Sequence, residues 1–129
     1  MADRPIVMVV EDDKEMNSLE CELLQIHGMD TVPAYTGTEA IDVASKCRAD
    51  AILLDIMLPE MDGFECCRNL RIRNCSKVPI VIITALDSEE SRQAGVDVGA
   101  DAYFTKPFDP FEIVDTLRML IDKSCPKDD

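Results

Sequence analysis

Five short apolar runs, each followed by a stretch with helical spacing, restrict the fold of this chain more than any other feature. The runs are Ile6-Val7-Met8-Val9-Val10, Thr31-Val32-Pro33-Ala34-Tyr35, Ala51-Ile52-Leu53-Leu54, Ile80-Val81-Ile82-Ile83 and Ala102-Tyr103-Phe104. The first, third and fourth are almost purely β-branched residues and leucine, the pattern of central parallel strands buried on both faces. The second contains a proline and the fifth is short, which suits sheet edges.

Helices are expected over Lys14–His27, Thr38–Arg48, Phe64–Arg73, Ser88–Val98 and Asp109–Lys123. In the first, Met16, Leu19, Leu23 and Ile26 recur at helical spacing, and Gly28 suits the position just past a helix end. Ala40, Ile41, Ala44 and Cys47 make a stripe on the second; Phe64, Cys67 and Leu70 face inward on the third. The fourth is polar and weakly patterned. On the fifth, Phe111, Val114, Leu117 and Ile121 form a stripe with Ile113 and Leu120 beside it. Short connections and right-handed crossovers then lead to an α/β fold: a doubly wound, five-stranded parallel sheet in the order 2-1-3-4-5, helices on both faces.

Composition agrees. A chain of 129 residues that is 47% hydrophobic fills one domain with a packed core, residues 124–129 being expected as a frayed tail or the start of a linker. With 26 acidic and 13 basic residues the net charge is −13, which repels nucleic-acid backbones and anionic membranes. No apolar run reaches the length of a membrane span, and Met1-Ala2-Asp3-Arg4-Pro5 lacks the pattern of a signal peptide. Six cysteines, at 21, 47, 66, 67, 75 and 125, include no CxxC pair. They read as reduced thiols of a cytoplasmic protein, with Cys66 and Cys67 on different faces of their helix, packed or half-exposed.

In such a sheet the chemistry gathers at the carboxyl ends of the strands. Glu11, Asp12 and Asp13 follow the first run, Asp55 the third, Thr84 and Ala85 the fourth, and Lys106-Pro107 the fifth. Each has an ordinary reading alone. Asp12 or Asp13 can cap a helix with Glu15 completing a capping box, Asp55 and Asp62-Gly63 can be turn residues, and Lys106 can be a surface charge. Together they put acids, a hydroxyl and an ammonium on one rim. Two like charges about 4 Å apart cost about 4 kcal/mol at an effective dielectric of about 20, so the cluster needs a cation. Lys106 supplies one charge, and a divalent ion supplies the rest. Oxygen-only ligands favour a hard ion, Mg²⁺ or Mn²⁺.

The segments Val9-Val10-Glu11-Asp12-Asp13, Leu53-Leu54-Asp55-Ile56-Met57-Leu58-Pro59-Glu60-Met61-Asp62-Gly63, Ile83-Thr84-Ala85 and Thr105-Lys106-Pro107-Phe108 closely resemble those of two-component response-regulator receiver domains, the CheY-like family. The likeness runs from Pro5 to about Ile121. It implies that Asp55 accepts a phosphoryl group from a phosphohistidine on a sensor histidine kinase or phosphotransfer protein. Asp12, Asp55 and the Met57 backbone carbonyl would ligate Mg²⁺ directly, and Glu11 through water. Thr84 and Lys106 would each engage a phosphoryl oxygen, and Lys106–Pro107 would be cis. Thr84 and Tyr103 would switch the face formed by the fourth helix, fifth strand and fifth helix, which meets an unknown downstream target. The apolar Met57 and Leu86 occupy positions that tune attack by water, and imply a phosphorylated lifetime of minutes or longer. The family's largest DNA-binding subgroup usually has arginine where Thr116 stands, which weakens the case for that subgroup's dimer and leaves a monomer or a phosphorylation-dependent dimer open.

Both a stand-alone regulator and a receiver cut from a transcriptional regulator or hybrid kinase fit the chain. A flavodoxin-like electron carrier shares the topology but needs a hydroxyl- and glycine-rich phosphate loop where Glu11-Asp12-Asp13 stands. A haloacid-dehalogenase-type phosphatase needs a second acid two residues past its nucleophile, and residue 57 is Met.

Overall fold

The computed structural model describes residues 4–73 and 77–124. Strands and helices alternate in the order β1 (Ile6–Val10), α1 (Lys14–Ile26), β2 (Asp30–Ala34), α2 (Gly37–Lys46), β3 (Ala51–Leu54), α3 (Gly63–Ile72), β4 (Ile80–Thr84), α4 (Glu89–Asp97), β5 (Ala102–Thr105) and α5 (Pro110–Ser124). The five strands form one sheet in the expected order β2-β1-β3-β4-β5, parallel throughout. Register leaves the carboxyl ends nearly flush: Val10 lies opposite both Ala34 and Leu54, and Thr84 opposite Thr105. Residues that follow those ends must therefore share one rim.

Side-chain alternation divides the interior in two. Met8, Val10, Ile52, Leu54, Ile80 and Ile82 pack one face with Ala40, Cys66, Cys67 and Leu70. Val7, Val9, Leu53, Val81 and Ile83 pack the other with Leu24, Ile113, Val114 and Leu117. Cys66 and Cys67 do point different ways, toward the Gly37 and Val98 carbonyls, yet both are fully buried. Burial pushes the Cys67 thiol up to about 11, so it stays protonated and inert. Cys75, Cys125 and the tail beyond residue 124 lie outside the described residues.

One helix sits in a different phase from the one expected, and one residue of another leaves its expected stripe. In α1, Leu19 and Ile26 are exposed, and the inward residues are Asn17, Glu20, Cys21 and Leu24. Asn17 is the cause. Its amide nitrogen donates to the carbonyls of Val9 (3.1 Å), Glu11 (3.1 Å) and Ala34 (3.3 Å). Those strand-end carbonyls need donors more than the core needs another leucine. In α5, Phe111 is 67% exposed and sets its edge against His27, while Ile113 takes the core position. Val114 and Leu117 keep the expected stripe and are buried against the sheet.

At the opposite end of the sheet Arg71 ties three segments together. It donates to the Val78 carbonyl, twice to the Gly99 carbonyl (3.0 and 2.7 Å) and to Asp101 Oδ2 (2.8 Å). The last turn of α3 is thus fastened to the turn between α4 and β5. Among the described residues no helix is long and apolar enough to cross a membrane.

Candidate functional site

The acidic rim begins where β1 stops. Asp13 leaves the strand in an extended conformation and caps α1, its Oδ1 accepting from the N–H groups of Glu15 and Met16. Of the two aspartates that could cap this helix, Asp13 does so and Asp12 remains exposed at the rim. Glu11 turns inward to 3% exposure, its Oε2 accepting from the Asp13 N–H at 3.1 Å.

Asp55 comes from β3. Its backbone N–H donates to the Val10 carbonyl at 2.9 Å, which joins the two strand ends. Its Oδ1 accepts from the Met57 N–H at 3.0 Å. The loop beyond folds back through Gly63, whose N–H donates to the Ile56 carbonyl at 2.9 Å. A Cβ on Gly63 would lie 2.3 Å from Ile56 Cα, so only glycine permits this approach. Asp62 then caps α3, its Oδ1 accepting from Phe64 N–H.

Lys106 closes the cluster from β5. Its Nζ donates to Glu11 Oε1 at 2.9 Å and to Asp55 Oδ2 at 3.0 Å. The Lys106–Pro107 bond is cis. Glu11, Asp12 and Asp55 can each place a carboxylate oxygen within 4.8 Å of the others. Burial raises the Glu11 pKa, and crowding against Asp55 raises it further, outweighing the bonds from Lys106 and the Asp13 N–H. Burial alone would lower the pKa of the Lys106 ammonium; its bonds to Glu11 and Asp55 win and hold it above the usual lysine range. One ammonium bonds two of three crowded acids, Glu11 and Asp55. An oxygen-only donor set with that much uncompensated charge fits a hard divalent ion.

Thr84 lies fully buried at the end of β4, its Oγ1 accepting from the Leu86 N–H at 3.3 Å. The backbone N–H of Lys106 donates to the Thr84 carbonyl, holding the two strand ends together. Tyr103 stands farther off, beneath α4, where its hydroxyl donates to the Leu86 carbonyl at 2.9 Å and Arg92 lies over its ring. A cavity of about 90 Å³ beside it is lined by Arg92, Gly95 and Val96. Met57 is 55% exposed at the rim. The rim therefore gathers Glu11, Asp12, Asp55 and Lys106, with Thr84 in the next strand end and Tyr103 bonded to the Leu86 loop. Asn17, Glu20 and Gly63 were not singled out as site residues from sequence. A polar pair three residues apart, in phase with Cys21 and Leu24, was the available signal for the first two.

A three-layer sheet of this order, with an acid cluster and a lysine at its carboxyl rim, defines a receiver module. The family model for the response regulator receiver domain matches residues 7–118, and the chain belongs to that family of two-component signalling proteins. It is 39% identical over 123 residues to the response regulator MprA of Mycobacterium avium, covering 95% of this chain and 54% of that protein. The chain thus spans about half the length of such relatives. The receiver domain of the Francisella response regulator 1452 superposes with a TM-score of 0.89 at 33% identity, covering 95% of this chain and all of that one. The receiver domain of the sensor histidine kinase PA1611 from Pseudomonas aeruginosa, described with a magnesium ion coordinated in its active site cleft, gives a TM-score of 0.85 at 29% identity over 92% of this chain and 98% of that one.

Proposed function

We propose that Asp55 is the phosphoacceptor of this receiver, taking its phosphoryl group from a phosphohistidine on a sensor kinase or phosphotransfer protein. The observation that supports this most directly is the convergence of Lys106 on both Glu11 and Asp55. An ionised aspartate needs no general base. One Asp55 oxygen attacks phosphorus, the P–N bond breaks, and the departing imidazole keeps the electron pair. The residues hold the acceptor in place and offset charge, which is most of what phosphoryl transfer asks of a protein.

Glu11, Asp12, Asp55 and the Met57 carbonyl would hold Mg²⁺, or Mn²⁺ in its place. When bound there, the ion neutralises charge on the phosphoryl oxygens. Lys106 pairs with one phosphoryl oxygen and the Thr84 hydroxyl donates to another. When Thr84 turns toward the phosphoryl group it releases the Leu86 N–H, and the same loop carries the carbonyl that holds Tyr103. The face of α4, β5 and α5 is then the output surface for a downstream target. The domain spans the whole chain and modifies itself rather than turning over a separate substrate. A cytoplasmic site of action fits this role.

Intact-mass measurement after incubation with acetyl phosphate and Mg²⁺ tests the assignment. Wild type gains one phosphoryl group; Asp55→Asn gains none, and chelation of Mg²⁺ abolishes the gain. Equal incorporation into Asp55→Asn would overturn it.

A further inference from the structure

Glu11 is held at every polar atom. Its N–H donates to the Ala34 carbonyl at 3.0 Å, its Oε2 accepts from the Asp13 N–H, and its Oε1 accepts from Lys106 Nζ. The remaining atom, the backbone carbonyl, accepts from the side-chain amide of Asn17 at 3.1 Å. Asn17 lies on α1, is 1% exposed, and has no role in the transfer chemistry itself. Its amide nitrogen serves three carbonyls, those of Val9, Glu11 and Ala34, and its Oδ1 accepts from the Cys21 thiol at 3.3 Å. Acceptors on one side and a donor on the other fix which way the amide faces.

We propose that Asn17 is a positioning residue for the divalent ion: by holding the peptide between Glu11 and Asp12, it sets how well the acids of Glu11, Asp12 and Asp55 match the ion. The inference rests on the reading that those acids hold Mg²⁺. A peptide unit is planar, so the Glu11 carbonyl and the Asp12 N–H turn together. Asn17 also bonds the Ala34 carbonyl, the acceptor for the Glu11 N–H. It therefore steadies the backbone on both sides of Glu11, and with it the stems of two carboxylates. Those acids can bring oxygens within 4.8 Å of one another. Mg²⁺ demands near-ideal geometry, so a ligand turned out of place costs affinity. Being neutral, the amide does this without adding a charge that competes with the ion for the acids.

The test titrates Mg²⁺ into the full chain without a phosphodonor and reads the dissociation constant by calorimetry for wild type, Asn17→Ala and Leu24→Val. Leu24 is fully buried about two turns farther along α1, so its substitution loosens the same helix away from Glu11. Asn17→Ala is expected to bind Mg²⁺ about tenfold more weakly, with Leu24→Val within about twofold of wild type. Wild-type affinity in Asn17→Ala, or equal weakening in both variants, overturns the proposal. With acetyl phosphate, the Mg²⁺ concentration for half-maximal phosphoryl gain should rise in parallel, while the rate at saturating Mg²⁺ stays within about threefold. A loss confined to the saturated rate overturns the proposal as well. If Asn17→Ala does not fold, the wild type decides: its Asn17 side-chain amide resonances shift with Mg²⁺ occupancy in nitrogen-15 NMR, and unmoved resonances overturn the assignment. Wild type that takes up no Mg²⁺ removes the metal reading and the proposal with it. Phosphoryl gain by Asp55→Asn removes the phosphoacceptor assignment alone, because Mg²⁺ binding is read without a donor.

Discussion

The Tyr103 hydroxyl donates a 2.9 Å hydrogen bond to the carbonyl of Leu86, two residues beyond Thr84. The Leu86 N–H in turn donates to the Thr84 hydroxyl oxygen. A single residue in the β4–α4 loop thus touches both ends of the intended switch. Tyr103→Phe removes one neutral hydrogen bond and should lower stability by about 1 kcal/mol in urea unfolding. Asp55 phosphorylation should stay within about twofold, because the ring lies outside the acid cluster. In wild type, the Tyr103 ring resonances should shift on adding beryllofluoride; unchanged resonances would refute its coupling to Asp55.

Lys106→Met leaves Glu11 and Asp55 facing each other without their shared cation. Acetyl phosphate incorporation should fall at least about tenfold while the fold is retained. Circular dichroism checks the fold and intact mass the incorporation. Wild-type incorporation in this variant would mean the ammonium is dispensable.

Glu20 makes stability depend on pH in a stated direction. Its folded-state pKa is about 8, against an ordinary value of 4.5. Below the lower value both folded and unfolded chains hold the proton, and no penalty exists. Between the two the unfolded chain has released it and the folded chain has not, so stability falls as pH rises, by at most about 1.4 kcal/mol per unit. Above the higher value the full penalty remains. Calorimetry should show the melting temperature of Glu20→Leu exceeding that of wild type by a margin that grows from pH 5 to about pH 9. A constant margin would contradict the buried acid.

Gly63→Ala pushes a methyl group into the Ile56 backbone, with Cα only 2.3 Å away. The loop that leaves Asp55 has to shift, so the variant should lose several kcal/mol, about 2 to 4, together with phosphate uptake. Denaturation midpoints and intact mass report the two losses separately. A stable, fully active alanine variant would show that the loop relaxes freely.

Replacing Met57 by Asn puts a water-orienting amide at the exposed rim beside Asp55. The phosphorylated lifetime should shorten several-fold, from minutes or longer in wild type, when followed by loss of phosphoryl mass after donor removal. A wild-type half-life of a few seconds would show that an apolar residue there does not protect the acyl phosphate.

Much of this arrangement is legible in the sequence. The apolar runs place Glu11, Asp55, Thr84 and Lys106 at strand ends, and parallel order brings those ends together. What could not be read was the rotation of α1. Leu19 and Ile26 look like core residues because hydrophobicity is local. The decision between them and Asn17 depends on three carbonyls from two strands and a loop that are remote in sequence. Phe111 misled for a related reason: its stripe is sound at Val114 and Leu117, but its own ring meets His27, a residue remote in sequence, rather than the sheet. Gly63 shows its necessity only when the Ile56 backbone is in place.

Asn17 has a further effect. By gripping Val9, Glu11 and Ala34 with one amide, it works as a rivet through the floor beneath the carboxylates. The tip of β1 is thereby pinned to β2, and the Asp55 N–H on the Val10 carbonyl pins it to β3, so electrostatic pressure among the acids cannot be relieved by letting the strand tips splay. The repulsion stays at the strand ends, ready for whichever cation arrives.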